Sequence, residues 1–188
     1  MNKIESFLQT YDRILRSEDI DEAITFLQEG LQNASLEGNA EDCLTILNEM
    51  IGLYRSLGEF DTCVICMDQA KELANEMGLK NHPAYATTLI NCGTAYRMMD
   101  AIDKSYKCFK EAEVIIEKEG SDYLKASFHN NISSVLLKFN DYKAAAEHLL
   151  VALELLKTMK GQEIEIAVTY ANLGSAYLCQ QRLLAAKE

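Results

Sequence analysis

Three asparagines recur along this sequence at almost constant spacing: Asn91, Asn131 and Asn172, 40 and 41 residues apart. Each stands in helix-like text, as in "TYANLGSAY" at Thr169–Tyr177, where nearly every neighbour is small or apolar. A carboxamide carries both donors and an acceptor, so it can pair with a peptide group, and inside an apolar run it needs some partner. That partner is either the backbone of a neighbouring helix or a ligand. One interval earlier the slot holds Glu49, with Asn48 beside it.

Other residue types suggest less chemistry. Cys63 and Cys66 form C-x-x-C in "CVIC", but zinc wants four ligands and no second pair follows at suitable spacing. Packed thiols are expected. Of the three histidines, His82 lies in the loop text "KNHPAY", while His129 takes a slot that is Leu47, Leu89 and Tyr170 in other intervals. A packed imidazole is expected there. Nothing orders a serine against a histidine as nucleophile and base. The nine glycines are dispersed, so there is no phosphate-binding loop. The sequence therefore reads as a protein without catalytic residues, metal or cofactor, and not as an enzyme.

The elements that position the asparagines follow from composition and repetition. The 188 residues are 48% hydrophobic and 25% charged, with one proline and no tryptophan, which favours an all-α globular fold. The net charge of −11 argues against nucleic acid. It is uneven: residues 1–85 carry 16 acidic and 6 basic side chains, and residues 86–188 carry 13 and 12. A solvated outer face explains this, and a basic partner on the N-terminal half is the sharper alternative. No apolar run approaches the ~18 residues of a membrane span, and the start is not a signal peptide. Six cysteines scattered through helical text suggest reduced thiols and a cytoplasmic location.

Four segments stack in register: Leu47–Ala70, Leu89–Ala112, His129–Ala152 and Tyr170–Glu188, with a fainter copy at Phe7–Gly30. One slot holds Ile14, Tyr54, Tyr96, Leu136 and Tyr177. A small-residue slot nine positions later holds Ala23, Cys63, Ser105, Ala145 and Ala186. A third holds Leu27, Met67, Phe109 and Leu149, and a fourth Gly30, Ala70, Ala112 and Ala152. A period of 40–42 residues means stacked supersecondary units. Each reads as two antiparallel helices joined by a short turn: near Ser17, at Leu57–Phe60, at Met98–Ala101 and at Lys138–Asp141. The expected units are 4–43, 44–85, 86–125, 126–166 and an incomplete 167–188, in one domain.

These segments resemble tetratricopeptide repeats. The fit is best in "YANLGSAY" and "NCGTAYRMMDAIDKSYKCFKEA", and Pro83 falls where the family has its inter-repeat proline. The motif glycine is present as Gly93 and Gly174, replaced by Ile51 and Ser133 in two other copies. The long second helices look like the kinesin-light-chain type. The resemblance implies an all-α, right-handed superhelical solenoid of antiparallel helix pairs, with first helices lining a concave groove. It also implies that Asn91, Asn131 and Asn172 stand in a row there and contact a peptide backbone. The same register places Asn48, Thr87, Thr94, Asn130, Ser134 and Ser175 in the groove, with Arg55 and Arg97 close by.

The function so implied is a protein–protein interaction scaffold that binds a peptide or helix of a partner. The alternative is a ligand-sensing domain, of peptide-pheromone type, in a larger signalling or transcription-control protein. The last unit stops midway through its second helix and shows no polar terminal helix, so a longer protein, or a partner on that end, is expected. Self-association through Leu183 and Leu184 at this uncapped end is the third reading. The partner is thus protein or peptide, with no nucleic acid and no membrane.

Overall fold

Turn residues cut the chain into helices. Glu18, Gly58, Asp100 and Asn140 have left-handed backbones, with φ of 61°, 74°, 58° and 60°, and recur at intervals of 40, 42 and 40 residues. Glycine, asparagine and aspartate reach this conformation at least cost, so three of the four are suited to stop a helix there. In the computed structural model, residues 3–185 are described, and for 182–185 only the backbone. The described helices are α1 (Lys3–Arg16), α2 (Ile20–Leu36), α3 (Ala40–Leu57), α4 (Phe60–Glu76), α5 (Pro83–Met98), α6 (Ile102–Glu119), α7 (Asp122–Lys138), α8 (Tyr142–Lys157) and α9 (Glu163–Ala185). Side-chain caps start several of them. Asp19, Asn39, Ser121 and Asp141 each accept from the backbone N–H three residues on. At α5 the cap is His82, with Pro83 in the first turn, where its missing N–H costs nothing.

The chain forms two compact units that divide after Lys80. In the first, α2 packs on α1 and α3, and α3 on α4. Its core includes Ala23, Leu27, Ile51, Cys63, Met67 and Ala70, all 1% exposed or less. In the second, α6 packs on α5 and α7, and α8 on α7 and α9, while α5 also touches α7 and α7 touches α9. Phe109 and Phe128 meet edge-on at 6.4 Å within its larger apolar cluster. Leu149 and Leu153 of α8 join Leu173 and Ala176 of α9 in the smaller one. Each fully buried leucine, isoleucine, methionine or phenylalanine among these contributes roughly 1.5–3 kcal/mol.

The small-residue slot controls how closely the helices of a pair approach. Ala23, Cys63, Ser105 and Ala145 are all completely buried. Ser105 Oγ donates to the carbonyl of Gly93 at 2.6 Å. One repeat earlier Cys63 Sγ faces the carbonyl of Ile51, the equivalent position, at 3.6 Å. Beside this contact the Phe109 ring lies 2.9 Å from where a Cβ on Gly93 would stand. Only a glycine lets the ring come so close.

The last unit differs from expectation. The register places a turn near Cys179–Arg182, but α9 runs unbroken through Ala185. Gln181 occupies the position of Asp100 and Asn140, and the residues around it are good helix formers with no glycine, asparagine or aspartate to stop the helix. Tyr177, expected in the core, is 48% exposed because no second helix folds back over it among the described residues. Ala186 and the side chains of Leu183 and Leu184 lie outside those described.

The two motif glycines should respond oppositely to substitution. Gly93→Val drives methyl groups into Phe109 and should lower stability by about 1–3 kcal/mol. Gly174→Ala meets nothing within 4 Å and should raise it by about 0.5–1 kcal/mol through helix propensity. Urea unfolding midpoints at constant m-value measure both.

Candidate functional site

Helices α5, α7 and α9 are the first helices of successive pairs, and side chains on them converge. Asn131 on α7 donates from Nδ2 to the carbonyl of Ser127 at 2.9 Å. Its Oδ1 lies 3.2 Å from Thr94 Oγ1 on α5, whose single proton is shared between that oxygen and the carbonyl of Ile90 at 2.9 Å. Asn131 therefore ties α7 to α5. Next to it, Asn130 holds a buried Oδ1 with no hydrogen-bond partner. Both asparagines line a cleft of about 290 Å³ with Tyr123, Ser127, Leu156, Ile164, Glu165 and Val168. Tyr123, Ile164 and Val168 present apolar surface to solvent at its mouth. A residue that holds an unsatisfied buried acceptor thus lines a cleft with an apolar wall.

The remaining groove residues fall in several environments. Asn91 is half-buried on α5 and already partnered, and Asn172 is half-buried on α9. Thr87 and Ser175 are exposed and donate to carbonyls four residues back, Pro83 and Ala171. Ser134 is half-buried on α7. Arg97 is half-buried with its Nε lacking a hydrogen-bond partner. Asn48 and Arg55 lie on α3 in the first unit, where Asn48 Nδ2 donates to the carbonyl of Leu44 at 2.9 Å. Beside Asn48, burial and then Asp12 push the Glu49 carboxyl up. Burial, then Glu49 and Asp12, push Tyr11 up to about 12.

The small, polar lining read from the sequence is incomplete. Tyr123, Ile164 and Glu165 belong to the cleft, and the reading missed all three because α7 begins at Asp122 and α9 at Glu163, ahead of the unit starts at 126 and 167. A signal was present: Ile164, Val168 and Ala171 fall on one helical stripe.

The thiol and imidazole groups pack. Cys63 and Cys66 are 0% and 3% exposed, and burial pushes Cys66 up to about 11, so it stays a thiol. His129 on α7 and His148 on α8 approach Nδ1 to Nδ1 at 2.7 Å against the Phe128 ring. One proton fits between the two nitrogens, so one ring donates and the other accepts. Burial and the facing His148 push His129 down to about 4, and burial lowers His148.

Residues 42–112 match the family model described as tetratricopeptide repeat. Comparison with curated protein sequences finds no match. Among solved structures, BtubC (BKLC) from P. vanneervenii superposes with a TM-score of 0.80 at 19% identity, covering 98% of this chain and 75% of that one. A Podosopora anserina chain assigned to kinesin light chain, with nearly identical TPR-like repeats, superposes at 0.73 and 14% identity, covering 98% and 90%. At these identities the likeness concerns the fold. No described helix is long and apolar enough to cross a membrane.

The histidine pair makes the protein acid-sensitive. The unfolded chain takes up protons near the ordinary value of 6.5, whereas folded His129 takes one up only near 4. The stability His129 contributes is therefore present above pH ~6.5 and falls with pH between about 6.5 and 4, by at most ~1.4 kcal/mol per unit before solvent screening. His129→Gln should flatten this slope in urea midpoints measured across that range.

Proposed function

We propose that this chain, which carries tetratricopeptide repeats over residues 42–112 and has their all-α solenoid fold, is a protein–protein interaction module that binds a peptide segment of its partner on the α5–α7–α9 face. Repeats of this family commonly mediate protein–protein interaction and are typically non-enzymatic scaffolds. The observation that carries the finer reading is Asn130, which lines a cleft walled by Tyr123, Ile164 and Val168 and holds a buried, unpaired Oδ1 that a turn of its side chain brings to a ligand. An unsatisfied buried acceptor costs about 1–3 kcal/mol, which an N–H of a ligand backbone recovers. An apolar side chain next to that N–H gains roughly 25 cal/mol for each Å² it buries on the wall.

The asparagine row extends the same logic. Packed helices stand ~8–10 Å apart and an extended peptide advances ~3.3 Å per residue, so Asn91, Asn131 and Asn172 meet about every third peptide group. Asn131 keeps its bonds to Ser127 and Thr94 and still has one lone pair on Oδ1 to offer. Thr87, Thr94, Ser134, Ser175 and Arg97 flank the row, and Asn48 and Arg55 supply the comparable positions on α3. Six cysteine thiols, five of them buried, suit a reducing cytoplasm.

The test is a random peptide library displayed against the protein, followed by affinities of the enriched peptides. Asn130→Ala should weaken them about 5–10-fold, the size of one hydrogen bond, and Val168→Asp by more. Circular dichroism controls for folding. Equal affinity for the parent, both variants and the Asn91/Asn131/Asn172 triple alanine variant would overturn the reading.

A further inference from the structure

In four successive repeats a first-helix residue and the residue 19 places later on the second helix are Phe7 and Phe26, Leu47 and Cys66, Leu89 and Cys108, and His129 and His148. The first three pairs contain no side-chain nitrogen, and the rings of Phe7 and Phe26 stack with centroids 4.4 Å apart. The fourth sets two half-buried imidazoles face to face on α7 and α8, with Phe128 edge-on to both. Packing alone does not call for imidazole here, because the other repeats close without it. The Nδ1–Nδ1 distance of 2.7 Å leaves room for one proton. The donor ring takes a further proton on its far nitrogen and keeps the bond. The acceptor ring has only the facing Nδ1 left to protonate, and two N–H groups cannot point at each other across that distance.

The surroundings give His129 a second place to go. A cavity of about 230 Å³ adjoins it, lined by Glu113, Ile116 and Glu117 of α6 and by Lys125 and Phe128 of α7. Two carboxylates against one ammonium make this space attractive to an imidazolium. Glu113 is bonded to Lys110, yet it favours the charged form of both histidines. At His148, Lys110 opposes charge and Glu147 of α8 supports it, while burial holds both paired rings toward the neutral form. Helices α7 and α8 also wall the peptide cleft, through Ser127, Asn130 and Asn131 on one and Leu156 on the other. His129 does not line that cleft, so it acts there only through the placement of α7 against α8.

We propose that His129 is a two-position acid switch: neutral, it is bonded to His148 and clasps α7 to α8; charged, it turns into the Glu113–Glu117 cavity, the clasp opens and the peptide cleft loosens. The effect on the cleft rests on the proposed function, and the opening of the clasp does not. A ring freed from the pair takes up its proton near the ordinary value of 6.5, whereas paired His129 does so only near 4. The turned state therefore gains as pH falls below about 6.5, by up to about tenfold in population per pH unit.

The test is amide hydrogen exchange of the full chain at pH 7 and pH 5, each corrected for the chemical exchange rate, with α5 and α6 as internal control. Protection of α7 and α8 around the pair should fall about tenfold on acidification, and that of α5 and α6 much less. His129→Leu with His148→Cys, which copies the pairs of α3–α4 and α5–α6, should abolish the local fall. Glu113→Gln, which leaves the pair in place, should move it to lower pH. An equal fall in parent and double variant, a uniform fall in all helices, or no fall in the parent overturns the switch. Should the double variant not fold, an unmoved transition in Glu113→Gln overturns it instead. Library-enriched peptides should bind the parent about threefold or more weaker at pH 5 than at pH 7, and the double variant equally at both. A parent that opens yet binds equally at both overturns control of the cleft. Failure to enrich any peptide counts against the proposed function, and the exchange result then decides the switch by itself.

Discussion

The close approach of the two helices in each pair is the constraint on which the rest depends. At α5–α6 it is made by Gly93, Ser105 and Phe109: a missing side chain, a hydroxyl on the exposed carbonyl, and a ring filling the space. At α3–α4 the same geometry is reached with Ile51 and Cys63, where a thiol takes the place of the hydroxyl. The family's glycine is therefore dispensable when the facing residue is small. Ser133 with Ala145 is a third solution, with the Ser133 hydroxyl turned back to the carbonyl of Asn130. What recurs across the repeats is a small, completely buried residue on the second helix facing the first, and its type varies.

This constraint fixes where the first helices stand, and through them the asparagines. Asn131 serves the fold and faces the cleft at once, because a carboxamide has more hydrogen-bonding capacity than one helix neighbour consumes. Asn130, one residue before it, keeps a buried acceptor without a partner. Folded proteins satisfy most such atoms, and this exception belongs to a residue beside an apolar wall. The cysteines and the histidine pair lack this combination. Their polar atoms are enclosed or paired with one another, and their protonation is displaced toward the uncharged form by burial.

α9 shows what happens when one element of the pattern is missing. It carries the motif of a first helix, packs on α8, and has the glycine and tyrosines that elsewhere receive a second helix. With glutamine at the position of the turn, the helix continues, and among the described residues nothing folds back over that face.

How much was legible in the sequence can be argued from these residues. Period and slot identity determined the antiparallel pairs, the four turns, and the burial of Ala23, Cys63, Ser105 and Ala145. Those features depend on spacing along one chain, which a sequence records directly. The tertiary structure alone decided that Asn130 has the unpaired oxygen and Asn131 the interhelical bond, that Ile164 and Tyr123 join the cleft, and that Tyr177 lies bare. Whether a side chain is satisfied or covered depends on atoms brought from other helices, at distances that a repeat register does not contain.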